Sequence, residues 1–386
     1  MSFDFDTVIP RRGTDCVKWD HYGPDTIPMW VADMDFKAAP AILEALQRRL
    51  DHGVFGYPQL SDRYFGAVTR WFARRHAWHF TKEDIIPTTG VIAAYSACIK
   101  AMTVPGDKVI IQTPVYNCFF PAVRNNRCVE SRNELVYRDG RYSTDFEDLE
   151  RRAADPAAKV LLLCNPHNPV GRVWTREELQ RIGDICLKHH VFVVSDEIHC
   201  ELTYPGHDYT PFGSLGEAYA RNSATCGSPT KAFNIAGIQI ANIVAADPQA
   251  RARIDRAIND NECCDVNVFG IEALIAAYDQ SEQWLDELRK YLKVNAEEVY
   301  RRFSAELPDI PVLPLEGTYL MWIDVTGLPE GLWNFLKDKA GVVLSDGAIY
   351  GREGFLRLNI ACPRKTLDEG LGRLIQGIHS YKQHNW

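Results

Sequence analysis

No stretch of this 386-residue chain is long and apolar enough to span a bilayer. The longest aliphatic runs, Val160 to Cys164 and Val191 to Val194, have the length of strands. The start, Met1-Ser2-Phe3-Asp4-Phe5-Asp6, is acidic and leads into no apolar h-region, so no signal peptide is visible and a cytoplasmic location is expected. Positive charge is the scarcer sign: 43 Lys and Arg against 51 Asp and Glu leave a formal net charge of -8. Pairs such as Arg74-Arg75 and Arg151-Arg152 read as solvated helix faces, so neither nucleic acid nor a membrane is an expected partner. The eleven cysteines contain no Cys-x-x-Cys. Cys98, Cys164, Cys186 and Cys226 sit among apolar residues as small hydrophobes of a reducing compartment, and the adjacent Cys263-Cys264 are too close for an ordinary bridge. The histidines, His189-His190 included, lack metal-ligand spacing, and no metal is expected. Internal repeats and low-complexity tracts are also missing.

What is present is a chain with 46% hydrophobic residues, enough for a large core and two domains. Aliphatic strands at Lys108 to Gln112, Val160 to Cys164 and Val191 to Ser195 alternate with amphipathic helices. One helix opens at Thr175 with Glu178 three residues on, a capping box. This alternation predicts a mainly parallel sheet covered on both faces, with ligands at the carboxyl ends of its strands. A long helix from about Glu282 to Phe303 introduces a second, smaller α+β part with short strands expected at Val312 to Leu315, Thr318 to Ile323, Val342 to Leu344 and Phe355 to Asn359. The expected division is an amino-terminal segment 1–48 that joins the small domain, a large domain 49–281 and a small domain 282–386.

One charged side chain stands out. Lys231, in Ser228-Pro-Thr-Lys-Ala-Phe-Asn-Ile-Ala-Gly237, is the only charged residue between Arg221 and Asp247. Poor hydration in that apolar and hydroxyl-rich run lowers an amine's pKa and readies it to condense with a carbonyl. Upstream, Thr88-Thr89-Gly90-Val91-Ile92 opens a helix, which gathers unpaired N–H groups and the positive dipole end at one point, as a phosphate requires. Asn165-Pro-His-Asn168-Pro-Val-Gly-Arg172 and Ser195-Asp196-Glu197-Ile198-His199 follow two of the strands. Arg357 lies between apolar residues in a predicted strand, and its fork matches an amino-acid carboxylate.

Ser-x-x-Lys-x-x-Asn-x-x-Gly, with these partners in this order, resembles the pyridoxal-phosphate enzymes of the aspartate aminotransferase fold. Trp30-Val-Ala-Asp-Met-Asp-Phe36 and Arg357-Leu-Asn-Ile-Ala-Cys-Pro-Arg364 are similar to the branch of MalY/PatB-type cystathionine β-lyases, and the likeness covers nearly the whole chain. The resemblance implies an α/β fold with pyridoxal 5'-phosphate joined to Lys231. It implies Asp196 at the ring nitrogen, Asn168 and His199 near the phenolic oxygen, and Tyr116 stacked on the ring. The phosphate falls to Gly90, Val91, Ile92, Ser228 and, across a homodimer interface, Tyr57. Arg357 and Asn168 are implied to take the substrate carboxylate. His199 stands where aminotransferases carry a tyrosine, and Gln239 where they carry a phosphate-binding arginine. The implied reaction is α,β-elimination from L-cystathionine or related S-substituted cysteines; the alternative is transamination of neutral or aromatic amino acids. The local reading of Asp33 and Asp35 is a capped turn.

Overall fold

The structure, a computed structural model, describes residues 2–260 and 265–385, so Cys263-Cys264 lie outside the described residues. Its central layer is a seven-stranded sheet of β1 (Ile85–Thr88), β2 (Lys108–Thr113), β3 (Val129–Glu134), β4 (Ala158–Cys164), β5 (Phe192–Asp196), β6 (Ser223–Gly227) and β7 (Ala241–Val244). The strand order is β1-β7-β6-β5-β4-β2-β3. β7 runs antiparallel to both of its neighbours, and the pairs from β6 across to β3 are parallel. Buried side chains alternate between the two faces: Leu162, Val194 and Ala224 join one core cluster, and Leu161, Leu163 and Val193 another. Helix α1 (Val91–Met102) buries Ala94, Tyr95 and Cys98 in the first cluster, and α2 (Arg176–Lys188) buries Leu179, Ile182 and Cys186 in the second. The capping box of Thr175 and Glu178 forms at the start of α2. The sheet is therefore covered on both faces, and its parallel register sets Cys164, Asp196 and Cys226 side by side at the carboxyl ends.

A second layer is the antiparallel sheet of β8 (Leu320–Asp324), β9 (Ser345–Asp346) and β10 (Phe355–Asn359), in the order β8-β10-β9. It shares a core with α3 (Glu282–Glu306) and α4 (Arg364–Asn385) through Leu288, Leu292, Leu320, Leu358, Leu367 and Leu371. The strand expected at Val312 to Leu315 does not form. Pro311 just before it and Pro314 within it carry no N–H donors, and Val312 makes a single bridge to Ile323. Val342 and Val343 pair instead with Ile27 and Pro28.

Between the two layers runs an extended strap, residues 29–36, whose carbonyls are taken by side chains. Arg357 donates to Trp30 O (2.8 Å), and Asn359 to Val31 O (2.6 Å) and Asp33 O (2.7 Å). Tyr319 donates to Ala32 O (2.9 Å), and Asn234 to Met34 O (2.9 Å) and Phe36 O (2.7 Å). These bonds satisfy carbonyls that would otherwise be stranded within the protein. Asp33 and Asp35 are not turn caps. Asp35 is buried against Lys18 (2.8 Å), Arg11 (2.6 Å) and the Trp19 indole (2.8 Å), and Arg11 also reaches Asp33 (2.7 Å). Burial works against an ionised Asp35, but the Lys18 charge and the hydrogen bonds from Lys18, Trp19 and Arg11 outweigh it and hold the carboxyl below its usual 3.8.

Replacing Lys18 by Met leaves that carboxylate underpaired and is expected to cost about 3 kcal/mol in urea unfolding at pH 7. The folded pKa of Asp35 is depressed, so the contribution is complete above the ordinary carboxyl range and is lost as pH falls through the folded value. The wild-type advantage over Lys18→Met should accordingly shrink in strongly acidic solution.

Candidate active site

The carboxyl ends of β4 and β5, the start of α1, the loop after β6 and the strap converge on a cavity of about 310 Å³. Its lining includes Ala32, Thr89, Gly90, Val91, Ile92, Tyr116, Cys164, Asn168, Asp196, Ile198, His199, Thr230, Lys231, Gln239 and Ile240. Most of the site residues expected from sequence therefore share one wall system.

Lys231 enters on the loop after β6 and donates its Nζ to the carbonyl of Ala32. Burial, helped by the nearby Arg357 charge and opposed by Asp33 and Asp196, brings its amine down to about 8. At about 8 the free amine is roughly one-tenth of the population at pH 7 and half at pH 8, far more than an ordinary lysine offers as a nucleophile or base. Opposite it, Asp196 ends β5 with its carboxyl buried, accepting one backbone bond from Ile198 N–H (3.2 Å). Burial, with a smaller push from Glu197, raises it to about 7. A buried carboxyl in this state favours a cationic partner, and a protonated ring nitrogen is one.

Arg357 on β10 is buried and does not itself line the cavity, but it is bonded to Asn168, which does. It donates to Asn168 Oδ1 (2.9 Å) and Trp30 O (2.8 Å), its guanidinium lies 4.7 Å from the Tyr350 ring centroid, and its Nε is buried without a partner. With Asn168 Oδ1 taken, the N–H groups of that amide are what it offers a ligand. His199 is buried, and burial, with the Lys231 and Arg357 charges, presses its ring down to about 3. It is a neutral imidazole whose Nδ1 has no partner. Tyr116 is half-buried on the cavity wall.

The first turn of α1 has neither an acidic side chain nor a side-chain cap at Gly90. A Cβ added at Gly90 would meet nothing within 4 Å, so there is open space beside the free N–H groups. These features fit a phosphate. Ser228 is placed differently from the expectation. Its hydroxyl proton goes to Ile240 O (2.6 Å), its oxygen receives Thr230 N–H (3.1 Å), and it does not line the cavity. Thr230 lines it instead. Sequence reasoning passed over Thr230 although it adjoins Lys231, and had no residue-type signal for Ala32, which acts through its carbonyl. Gln239 lines the cavity with a left-handed backbone, φ 56°. Tyr57 is 99% exposed beside Phe55 and Phe269, away from Lys231 in the same chain.

One further cluster, His76, Cys200 and Glu201, brings three potential metal ligands together. Glu201 is already held by the Trp71 indole (2.6 Å) and Arg75 (3.3 Å), and the guanidinium disfavours a cation there.

The elevated Asp196 gives a signed expectation for the cofactor-free chain. A carboxyl whose folded pKa is raised contributes stability at low pH and loses it as pH rises towards and past about 7. Cofactor-free Asp196→Asn should therefore be more stable than cofactor-free wild type at pH 8, by about 1–4 kcal/mol, with the difference closing towards pH 5. Denaturant unfolding of both proteins at the two pH values measures this.

Comparison with known proteins agrees with the geometry. The profile of the family described as Aminotransferase class I and II matches residues 24–374. The cystathionine beta-lyase PatB of Bacillus subtilis is 43% identical over 381 residues, 96% of this chain and 98% of the relative. A pyridoxal-phosphate-bound putative aminotransferase from Clostridium difficile superposes with a TM-score of 0.95 at 39% identity, over 97% of this chain and 100% of the other. Cystalysin from Treponema denticola, a structure that contains pyridoxal 5'-phosphate, also gives 0.95, at 37% identity over 98% of this chain and 100% of the other. With a match spanning most of its length and a relative this similar over nearly all of it, the chain belongs to the class I and II aminotransferase family of pyridoxal-phosphate-dependent proteins.

Proposed function

We propose that this protein is a carbon–sulfur lyase that cleaves L-cystathionine or a related S-substituted cysteine to a thiol, pyruvate and ammonia. The observation that carries the reading is the convergence of Lys231, Asp196 and Asn168 on one cavity, with Arg357 hydrogen-bonded to Asn168 behind its wall. The identity to a protein named cystathionine beta-lyase supports elimination as the outcome.

Pyridoxal phosphate, when bound, supplies an aldehyde for amino groups and a ring that withdraws electrons from the substrate's α-carbon. Asp196 would hold the proton on the ring nitrogen, Tyr116 would cover a ring face, and Asn168 and His199 would face the phenolic oxygen. The free N–H groups at Gly90, Val91 and Ile92, with Thr230, would hold the phosphate. Arg357 orients the substrate through its carboxylate, and Asn168 sets the position of that guanidinium. The neutral amine of Lys231 then takes the α-proton as general base. Loss of the β-sulfur substituent as a thiolate leaves 2-aminoacrylate, which hydrolyses to pyruvate and ammonia.

Tyr57 and the neighbouring Val54 and Phe55 project from the surface, in keeping with a homodimer in which Tyr57 serves the partner's phosphate site. The pairing of Ile27 and Pro28 with Val342 and Val343 supports grouping 1–48 with 282–386 apart from 49–281, although the helix Pro40–His52 runs across the first boundary, and a cytoplasmic location is part of the same reading. A second reading, an aminotransferase for neutral or aromatic amino acids, is favoured by the name of the Clostridium difficile structure.

A pyruvate-release screen over cystathionine, cysteine and S-alkylcysteines separates the two. Thiol and pyruvate in equal amounts mark the lyase, whereas keto acid formed only with an acceptor keto acid marks the aminotransferase. Lys231→Ala should abolish turnover. Arg357→Ala should lower kcat/KM by about 100-fold, because a charge-assisted contact to the carboxylate is lost.

A further inference from the structure

Tyr319 is fully buried just ahead of β8, in a segment, Leu315-Glu-Gly-Thr-Tyr-Leu320, that resembles the lyase branch but to whose residues that resemblance attaches no role. Its hydroxyl donates to Ala32 O (2.9 Å), the same oxygen that receives Lys231 Nζ. Its ring meets His199 edge-on, with centroids 6.0 Å apart. The residue before it, Thr318, has φ +72°. For a β-branched side chain that backbone is strained, and strain persists only where the surroundings over-determine it. Here they do. Thr318 N–H donates to Leu202 O (2.6 Å), Thr318 O accepts from the Tyr204 hydroxyl (2.8 Å), and Thr318 Oγ1 accepts from Leu320 N–H (3.0 Å). The fold spends these contacts on setting where Tyr319 points.

We infer that Tyr319 is a positioning residue for the amine of Lys231, acting through the Ala32 carbonyl that both of them hold. The inference rests on the lyase reading only in taking Lys231 as the base. A carbonyl oxygen has two lone pairs, and two donors on it compete. While Lys231 is engaged elsewhere, Tyr319 keeps that oxygen in place. When the amine is free, the hydroxyl limits how firmly the oxygen holds the ammonium form, so the amine gives up its proton more readily. The charged and titratable groups around Lys231 are Arg357 on β10, Asp33 on the strap, Asp196 on β5 and Cys118 before the helix Phe119–Asn125. His199 also lies within its field. All of these remain in a Tyr319→Phe variant, so a change there belongs to the hydroxyl.

The test has two readouts. In the full chain freed of cofactor, reductive methylation of Lys231 is followed against pH by peptide mass spectrometry. The wild-type midpoint is expected at about 8, and in Tyr319→Phe higher by roughly 0.5 unit or more, since the ammonium has the carbonyl to itself. In the holoenzyme the rising limb of the kcat–pH profile should move the same way, with kcat at pH 7 down by about 3–10-fold and KM little changed. Thr318→Gly, which relaxes the strained backbone, should shift both in the same direction by less. Tyr204→Phe, which removes one of the contacts that hold Thr318 and leaves the Tyr319 hydroxyl on Ala32, should lower the unfolding temperature and shift both midpoints by less than Tyr319→Phe does. Unmoved midpoints in both Tyr319→Phe and Thr318→Gly overturn the assignment, as does an equal shift in Tyr204→Phe. If the wild type released no pyruvate while the methylation midpoint still shifted, the lyase reading would fail and this one would stand.

Discussion

A segment outside any strand has to find acceptors for its N–H groups and donors for its carbonyls, and residues 29–36 send the N–H groups of Met29 and Asp35 to the backbone of Val343 and Ala361 while side chains take the carbonyls from Trp30 to Met34 and that of Phe36. The donors come from both sides of the molecule. Lys231 and Asn234 belong to the loop between β6 and β7, Tyr319 lies just ahead of β8, and Arg357 and Asn359 belong to β10. Two of these donors, Lys231 and Arg357, are also the groups that a bound amino acid would engage at its α-carbon and its carboxylate. The strap thus fixes the separation between Lys231 and Arg357, the proposed base and carboxylate clamp, while Lys18, Arg11 and Trp19 pin Asp35 at its far end. A shift of the strap would misplace both ends of the substrate together.

The cavity is also arranged around opposed ionisation states. Burial brings Asp196 up to about 7 and Lys231 down to about 8, so that both titrate close to neutral pH, and His199 is neutral. Desolvation dominates all three, so the chemistry depends on the apolar walls as much as on the titrating residues. Cys164 and Cys226, beside Asp196 in the strand register, supply weak hydrogen-bonding groups where stronger donors would pull the carboxyl back towards its ordinary range.

Much of this was legible from residue types alone. The aliphatic runs gave β4 and β5, the Thr175–Glu178 box marked the start of α2, and the isolated Lys231 and Arg357 pointed to buried charges. The failures have definite physical sources. Val312 to Leu315 has strand-like residues, but Pro311 and Pro314 remove the donors that a ladder needs. Asp33 and Asp35 look like local caps because their true partners, Arg11 and Lys18, are separated from them by 15–24 residues. Ser228 matches the lysine motif, yet its proton is spent on Ile240 O, and Thr230 faces the cavity in its place. The roles of Ala32 and Tyr319 were invisible because one acts through its backbone and the other through a single oxygen shared with a residue 88 positions away.

The phosphate end of the site follows from what stands at position 239. Gln239 carries no charge, and none of Gly90, Val91, Ile92 and Thr230 does either, so within this chain the local positive potential comes from the uncapped N–H groups and dipole of α1. Such a source is fixed to the backbone and costs no side-chain ordering when an anion arrives, whereas a lysine or arginine would lose rotamer freedom. It is also short-ranged, fading within the first turn of the helix. On the proposed placement the anion would sit against the Gly90 turn itself, where the backbone carries no side chain and open space adjoins it. A larger residue there would remove the open space on which phosphate binding without a cation depends.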